Sequence, residues 1–217
     1  CLATSLATII VTSIRSVSAH NRTGAVDWQV LRRWAPGVAL GALVGVLVAS
    51  SLRTAALQAI FGALAVIVGL FFAVGRPGWR LGAQMPGRIV SAALSLSVGC
   101  LSVLVGIGGG AFGVPIMTLF SMPIHRAVAT SAGFGVLIAA PSVVAFMAFV
   151  NVPEAARPPF TIGAVSLPAF ATITAMTFLT APIGARLSHA ANPTLLRRFF
   201  GGFILLVALN MLRKAVW

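Results

Sequence analysis

Acid is almost missing from this 217-residue chain: two Asp and Glu, at Asp27 and Glu154, stand against 15 Lys and Arg. Charge of either sign is scarce at 8%, and there is no tyrosine, while 59% of the residues are hydrophobic and mean hydropathy is +1.05. A soluble domain carries about a quarter charged residues, so that class is excluded. Several uncharged stretches approach or exceed the ~18 residues that mark a bilayer span. The polar–apolar alternation of a transmembrane barrel is absent. The composition therefore predicts an all-α polytopic membrane protein.

The shortage of acid also narrows the function. Cation and proton carriers keep Asp or Glu inside the membrane, and both acids here fall in loops between apolar runs. The intramembrane chemistry thus favours an anionic or neutral substrate. A net charge of +13 would suggest nucleic acid in a soluble protein. Here the basic residues gather between apolar runs, where they set topology and meet lipid headgroups, so the bilayer is the expected partner and nucleic acid is not. Cys1 and Cys100 show neither metal spacing nor a disulfide framework. No His–Cys or His–carboxylate set has ligand spacing, and no paired carboxylate, nucleophile–base set or cofactor motif is visible. No metal, no cofactor and no enzymatic activity are expected.

Seven apolar segments cover about residues 1–19, 35–52, 55–75, 89–121, 126–150, 163–187 and 195–214. His20 to Arg33 reads as an interfacial element, with Asp27 capping a short helix and Trp28 and Trp34 at headgroup level. Two halves repeat. LATS at Leu2–Ser5 recurs as VATS at Val128–Ser131, and Ser16 and Ala19 match Ser142 and Ala145, all 126 positions apart. Gly45, Leu57, Phe61 and Gly62 match Gly184, Leu196, Phe200 and Gly201, now 139 apart. The 13 extra residues fit the proline-rich loop Asn151–Phe160. The expected organisation is a first repeat over 1–75, a basic loop over 76–88 and a second repeat over 89–217, an arrangement common in transporters.

GIGGGAFGVP, Gly106 to Pro115, interrupts the long fourth segment. Its counterpart in the first repeat would stand before Cys1, so the first repeat is expected to be truncated at its N-terminus and the full protein to hold roughly eight spans rather than seven. A helix ending near Gly106 leaves carbonyls unpaired, and one starting near Ala111 leaves N–H groups unpaired. In hydrocarbon such groups are tolerated only beside a cavity or protein, and a helix N-terminus favours an anion. The alternative is close packing, because Gly106 and Gly110 form a GxxxG pair. If segment 89–121 crosses once, the halves run parallel; if it enters and returns, they are inverted. The second path places one more arginine on the basic side.

The remaining candidates each carry two readings. Thr130 and Ser131, with Thr4 and Ser5 as repeat equivalents, could bond an oxyanion or the carbonyl one turn back. Arg15 and His125 could draw in an anion or reach the interface. Gly37, Gly41, Gly45 and Ala49, echoed by Thr180, Gly184 and Ser188, form a small-residue stripe that packs helices within the chain or in a homodimer.

GIGGGAFGVP followed by MPIHRAVATS (Met122–Ser131) resembles the glycine-rich motif and next helix of the sulfite exporter TauE/SafE family, the 4-toluene sulfonate uptake permease-like transporters. LATSLATIIVTS through AHNRTGAVDWQVLRRWAPGVALGALVG resembles its other repeat, so the likeness covers essentially the whole chain. It departs in the absent first glycine motif. The resemblance implies a multi-pass transporter of the bacterial inner membrane that exports or imports sulfite, sulfoacetate or a related organosulfonate. The small anion would bind between the repeats on the N–H groups of Gly108, Gly109, Gly110 and Ala111, with Thr130, Ser131, Thr4 and Ser5 adding hydroxyls and Arg15 and His125 nearby. An anion channel and a non-transporting membrane subunit are the alternatives.

Overall fold

A computed structural model describes residues 2–22, 24–74, 81–149, 159–162, 165–190, 201–202, 204–210 and 212–213, with backbone alone at 54, 71–74 and 181–190. The elements run α1 (Leu2–Arg22), α2 (Trp28–Ser51), α3 (Thr54–Val74), α4 (Arg88–Val105), α5 (Gly110–Leu119), α6 (Ile124–Phe149), β1 (Thr161–Ile162), β2 (Val165–Ser166) and α7 (Leu167–Ala190). Among the described residues α1, α2, α4 and α6 are long and apolar enough to cross a membrane, and Ala55–Leu70, Gly110–Leu119 and Leu167–Thr180 are shorter apolar helices. The protein is thus a helical, multi-pass membrane protein.

Three local expectations need correction. The interfacial element does not stand apart: Asp27 caps α2 itself, its Oδ1 accepting the N–H of Val30 at 3.1 Å, and α2 continues through Pro36. Trp34 is only 1% exposed, because its ring stacks on Phe134 with centroids 5.6 Å apart. Trp28 alone sits outside, its Nε1 donating to Asn21 Oδ1. The sixth apolar segment becomes helical only at Leu167. Before it, β-branched Thr161, Ile162 and Val165 form a small antiparallel pair, Thr161 opposite Ser166 and Ile162 opposite Val165. Most of the proline-rich loop, Glu154, the start of the last apolar segment and the side chain of Ser188 lie outside the described residues, and of Gly184 the backbone alone is described.

The chain divides into two compact units, Cys1–Ser50 with Arg80–Thr174, and Ser51–Trp79 with Ala175–Trp217. In the first, α1 closes on Gly24 (φ 65), whose N–H donates to Asn21 O while Ala25 donates to His20 O. Asp27 follows, and Arg126 at the start of α6 reaches it at 3.0 Å. The end of α1 therefore meets the beginning of α6, and the two helices run antiparallel, crossing where Ile9 and Ser13 pack on Gly135. Helices α2 and α4 lie side by side in parallel. A Cβ on Gly37 would meet Ser95, one on Gly41 the Leu96 carbonyl, and one on Gly45 the Cys100 carbonyl, while Gly99 presses on Val38. The glycine stripe is thus an intrachain seam. The opposite face of α2 exposes Leu40, Leu43 and Leu47, as a lipid-facing surface would.

Helices α4 and α5 form a hairpin. Leu81 N–H, ahead of α4, donates to Leu119 O at the end of α5 at 2.7 Å, and Ser121 Oγ donates to Gly82 O. The segment 89–121 therefore enters and returns to the side it came from. In the second unit, Gly62 and Gly69 of α3 pack on Ala208 and Leu212, and on Gly201 and Leu205, respectively. That order makes α3 antiparallel to the helical residues within 201–213.

Candidate functional site

The break between α4 and α5 is built by glycine. Gly106 takes the left-handed conformation (φ 68, ψ 25) that ends α4, where a Cβ would be strained. Its N–H donates to Val103 O and that of Ile107 to Ser102 O, both at 3.0 Å. This double bond pattern satisfies two of the carbonyls that a helix end leaves open. Ser5 of α1 reaches across to the Gly106 carbonyl, its Oγ donating at 3.0 Å. The exit from α4 thus has protein partners for the Ser102, Val103 and Gly106 carbonyls.

The entry to α5 is not. Gly113 N–H bonds Gly109 O at 2.8 Å and Ala111 N–H reaches Gly108 O at a long 3.4 Å. The N–H groups of Gly108, Gly109 and Gly110 have no acceptor among the described residues. These three donors lie at the positive end of a ten-residue helix. The glycines themselves lie against α1 and α6: a Cβ on Gly108 would come within 3.4 Å of Ile9 and 3.9 Å of the Gly135 Cα, and one on Gly110 within 3.7 Å of Ser131 Oγ. Because Gly135 is near the middle of α6, the break sits halfway along the first unit.

The glycines divide their work. Gly109 is buried, and a Cβ there would collide with Phe134, whose ring also lies 3.0 Å from a Cβ built on Gly113. These two serve close packing. Gly108 and Gly110 are half-buried and leave room beside their N–H groups. Pro115 is the sixth residue of α5 rather than part of its first turn, so its ring removes the donor that would have bonded Ala111 O.

The hydroxyls are placed as follows. Ser131 Oγ donates to Val128 O at 2.9 Å, one turn back, and Ser5 is committed to Gly106. Thr130 Oγ1 accepts the Asp27 N–H at 2.9 Å and Thr4 Oγ1 accepts the Ser166 N–H at 3.1 Å. Each threonine therefore has its O–H proton left to offer, and each serine only its lone pairs. Arg15 is exposed on α1, ten residues past Ser5 and about 15 Å along the axis. His125 is exposed in the first turn of α6, six residues ahead of Ser131, or about 9 Å. The structure brings the glycines, Ser5 and Ser131 together and leaves Arg15 and His125 apart from them. Among the described residues no group of His, Cys, Asp and Glu could hold a metal ion.

Sequence reasoning missed the apolar walls of the break: Leu2, Ile9, Phe134 and Ile138. Helical spacing carried a signal for two of them, since Ile9 follows Ser5, and Phe134 follows Ser131, by one turn on the same face.

Comparison with known proteins agrees with this architecture. The family profile described as "Sulfite exporter TauE/SafE" matches residues 1–211. A Haemophilus influenzae protein named "Probable membrane transporter protein" is 29% identical over 213 residues, covering 98% of this chain and 80% of its own length. A protein of the same description from Methanocaldococcus jannaschii is 22% identical over 210 residues, covering 96% and 77%. No solved structure matches the chain.

Proposed function

Because the chain belongs to the sulfite exporter TauE/SafE family and is a membrane transporter, we propose that it is a secondary transporter of a small sulfur oxyanion or organosulfonate in the bacterial inner membrane. One observation carries the reading. Three consecutive backbone N–H groups, Gly108 to Gly110, open a helix halfway through an apolar bundle without an acceptor among the described residues. Unpaired donors at that depth need a partner, and at the positive end of a helix that partner is an anion. Among the described residues no cationic side chain lies at the break, so the anion would be held there by backbone dipoles. Ser5 and Ser131 stand at the break and would have to turn from the Gly106 and Val128 carbonyls to donate; Thr4 and Thr130 lie on opposite sides of the Ile9–Gly135 crossing, too far apart along the helices for one small anion to reach both.

The two halves are inverted repeats, and the binding site is their shared midpoint. Several contacts support this because they reciprocate at the spacings read in the sequence. Ile9 packs on Gly135, its own equivalent at 126 positions. Thr130 accepts from Asp27 and Thr4 accepts from Ser166, the second pair being the first with its halves exchanged. Gly62 lies on Ala208 and Gly69 on Gly201, exchanged at 139 positions. Helices α2 and α7 both span 24 residues, starting 139 apart at Trp28 and Leu167. The antiparallel course of α1 and α6 and the return of α5 are what inversion requires. Rocking one repeat on the other would expose the break to each side in turn.

Flux of labelled sulfite into proteoliposomes tests the function. Wild-type protein gives saturable uptake, and Gly110→Leu, which fills the space beside Ser131, abolishes it. Undiminished flux in Gly110→Leu sinks the site assignment.

A further inference from the structure

Thr130 and Thr4 do the same thing at two ends of one helix pair. Thr130 Oγ1 accepts the backbone N–H of Asp27, immediately before α2, and Thr4 Oγ1 accepts that of Ser166, immediately before α7. Both threonines are buried, at 0% and 6% exposure. Each hydroxyl therefore ties the start of an apolar helix from one half of the sequence to α1 or α6 of the other half. In both cases the next residue is a serine at the break, Ser131 beside Gly110 and Ser5 on the Gly106 carbonyl. The ties lie on opposite sides of the Ile9–Gly135 crossing, each five residues from it, or about 7.5 Å along the helix.

We propose that these contacts are two gate latches, one toward each face of the membrane, and that Thr130, Thr4 and Asp27 are positioning residues that decide from which side the glycine break is reached. The inference rests on the transporter reading above. Opening a path from the Asp27 end moves the start of α2 away from α6 and strips a half-buried N–H of its acceptor. Opening from the Ser166 end does the same to Ser166 and Thr4. An unpaired buried donor is disfavoured in apolar surroundings, so both ends do not open together at low cost. The latches are unequal. At the Asp27 end the carboxylate also ties α2 to α6, its Oδ2 accepting from Arg126 at 3.0 Å, and the other end has Ser166 in the corresponding place. The resting bias is therefore toward closure at the Asp27 end.

The test uses the full chain with Cys1 and Cys100 replaced by alanine and a reporter thiol at Ser131→Cys. A membrane-impermeant maleimide is applied to vesicles of either orientation, and labelling rates are compared. Thr130→Val raises labelling from the Asp27 side by about fivefold, the equilibrium factor that one net hydrogen bond is worth, without raising it from the other side. Thr4→Val does the reverse. Thr130→Ser and Thr4→Ser keep wild-type rates because they keep the hydroxyl. Asp27→Asn, which keeps the cap and loses the ion pair, shifts labelling in the same direction as Thr130→Val. Equal rises from both sides, no change in either valine variant, or failure of the serine variants to restore the wild-type rates overturns the latches. Labelling needs no substrate. Loss of side-specificity with intact sulfite flux removes the latches alone, and side-specific labelling without any anion flux removes the transporter reading alone.

Discussion

Within ten residues, glycine performs three separable tasks. Gly106 turns the chain at φ 68, Gly109 and Gly113 make room for Phe134, and Gly108 and Gly110 leave backbone donors open. Alanine substitutions separate the last two. Gly109→Ala drives a methyl into Phe134 and should cost about 1–3 kcal/mol, as overpacking does, seen as a lower midpoint of thermal unfolding in detergent. Gly110→Ala, with Ser131 Oγ at ordinary contact distance, should unfold at the wild-type temperature while weakening anion binding. Thr130→Val leaves the Asp27 N–H without an acceptor, which costs about 1–3 kcal/mol when such a donor stays buried. The presence of the break could be read from the run of glycines, but the division of labour could not. It is set by Phe134 and Ile9, which reach the run only once α6 and α1 have packed. Trp34 went astray for the same reason. Its position near Arg32 and Arg33 pointed to the headgroups, and a stacking partner 100 residues away in the chain takes it into the core.

Helices α2 and α4 are held by backbone proximity rather than by large side chains. In lipid, apolar side chains gain little by leaving the solvent for each other, so close approach of small residues provides the association. Gly41 faces the Leu96 carbonyl and Gly99 the Val38 carbonyl, and backbone cannot step aside as a flexible side chain can. Gly41→Leu should therefore lose upwards of ~3 kcal/mol, whereas Leu40→Ala on the exposed face should stay within about 0.5 kcal/mol, both measurable by thermal unfolding in detergent. This stripe was legible in the sequence as a packing face, though its partner was open between another helix and a second copy, and Gly99 in α4 supplies the answer within the chain. The α4–α5 hairpin was legible only as the more basic-sided of two paths. What decides it is a loop contact, Leu81 to Leu119, between positions that no periodicity connects.

At the scale of the whole molecule, the described charges give an expected orientation. In the first unit, Arg22, Arg32, Arg33, Arg88 and Arg126 gather at one end: Arg33 donates to Pro86 O just ahead of α4 and Arg126 pairs with Asp27. The positive-inside rule predicts that this end faces the cytoplasm. A thiol at Arg88→Cys, with the native cysteines replaced, should be labelled by an impermeant maleimide in inside-out vesicles and not in intact cells. Labelling in intact cells would reverse the topology. Halfway along the first unit lie the N–H groups of Gly108 to Gly110, and an anion is expected to meet them there. Selenite, an analogue of sulfite whose selenium scatters X-rays anomalously, locates that anion when soaked into crystals of the protein. The expected result is an anomalous peak within hydrogen-bond distance of the Gly108, Gly109 and Gly110 nitrogens, lost in Gly110→Leu. Selenium peaks confined to the arginine-rich end, with none at the break, would contradict it.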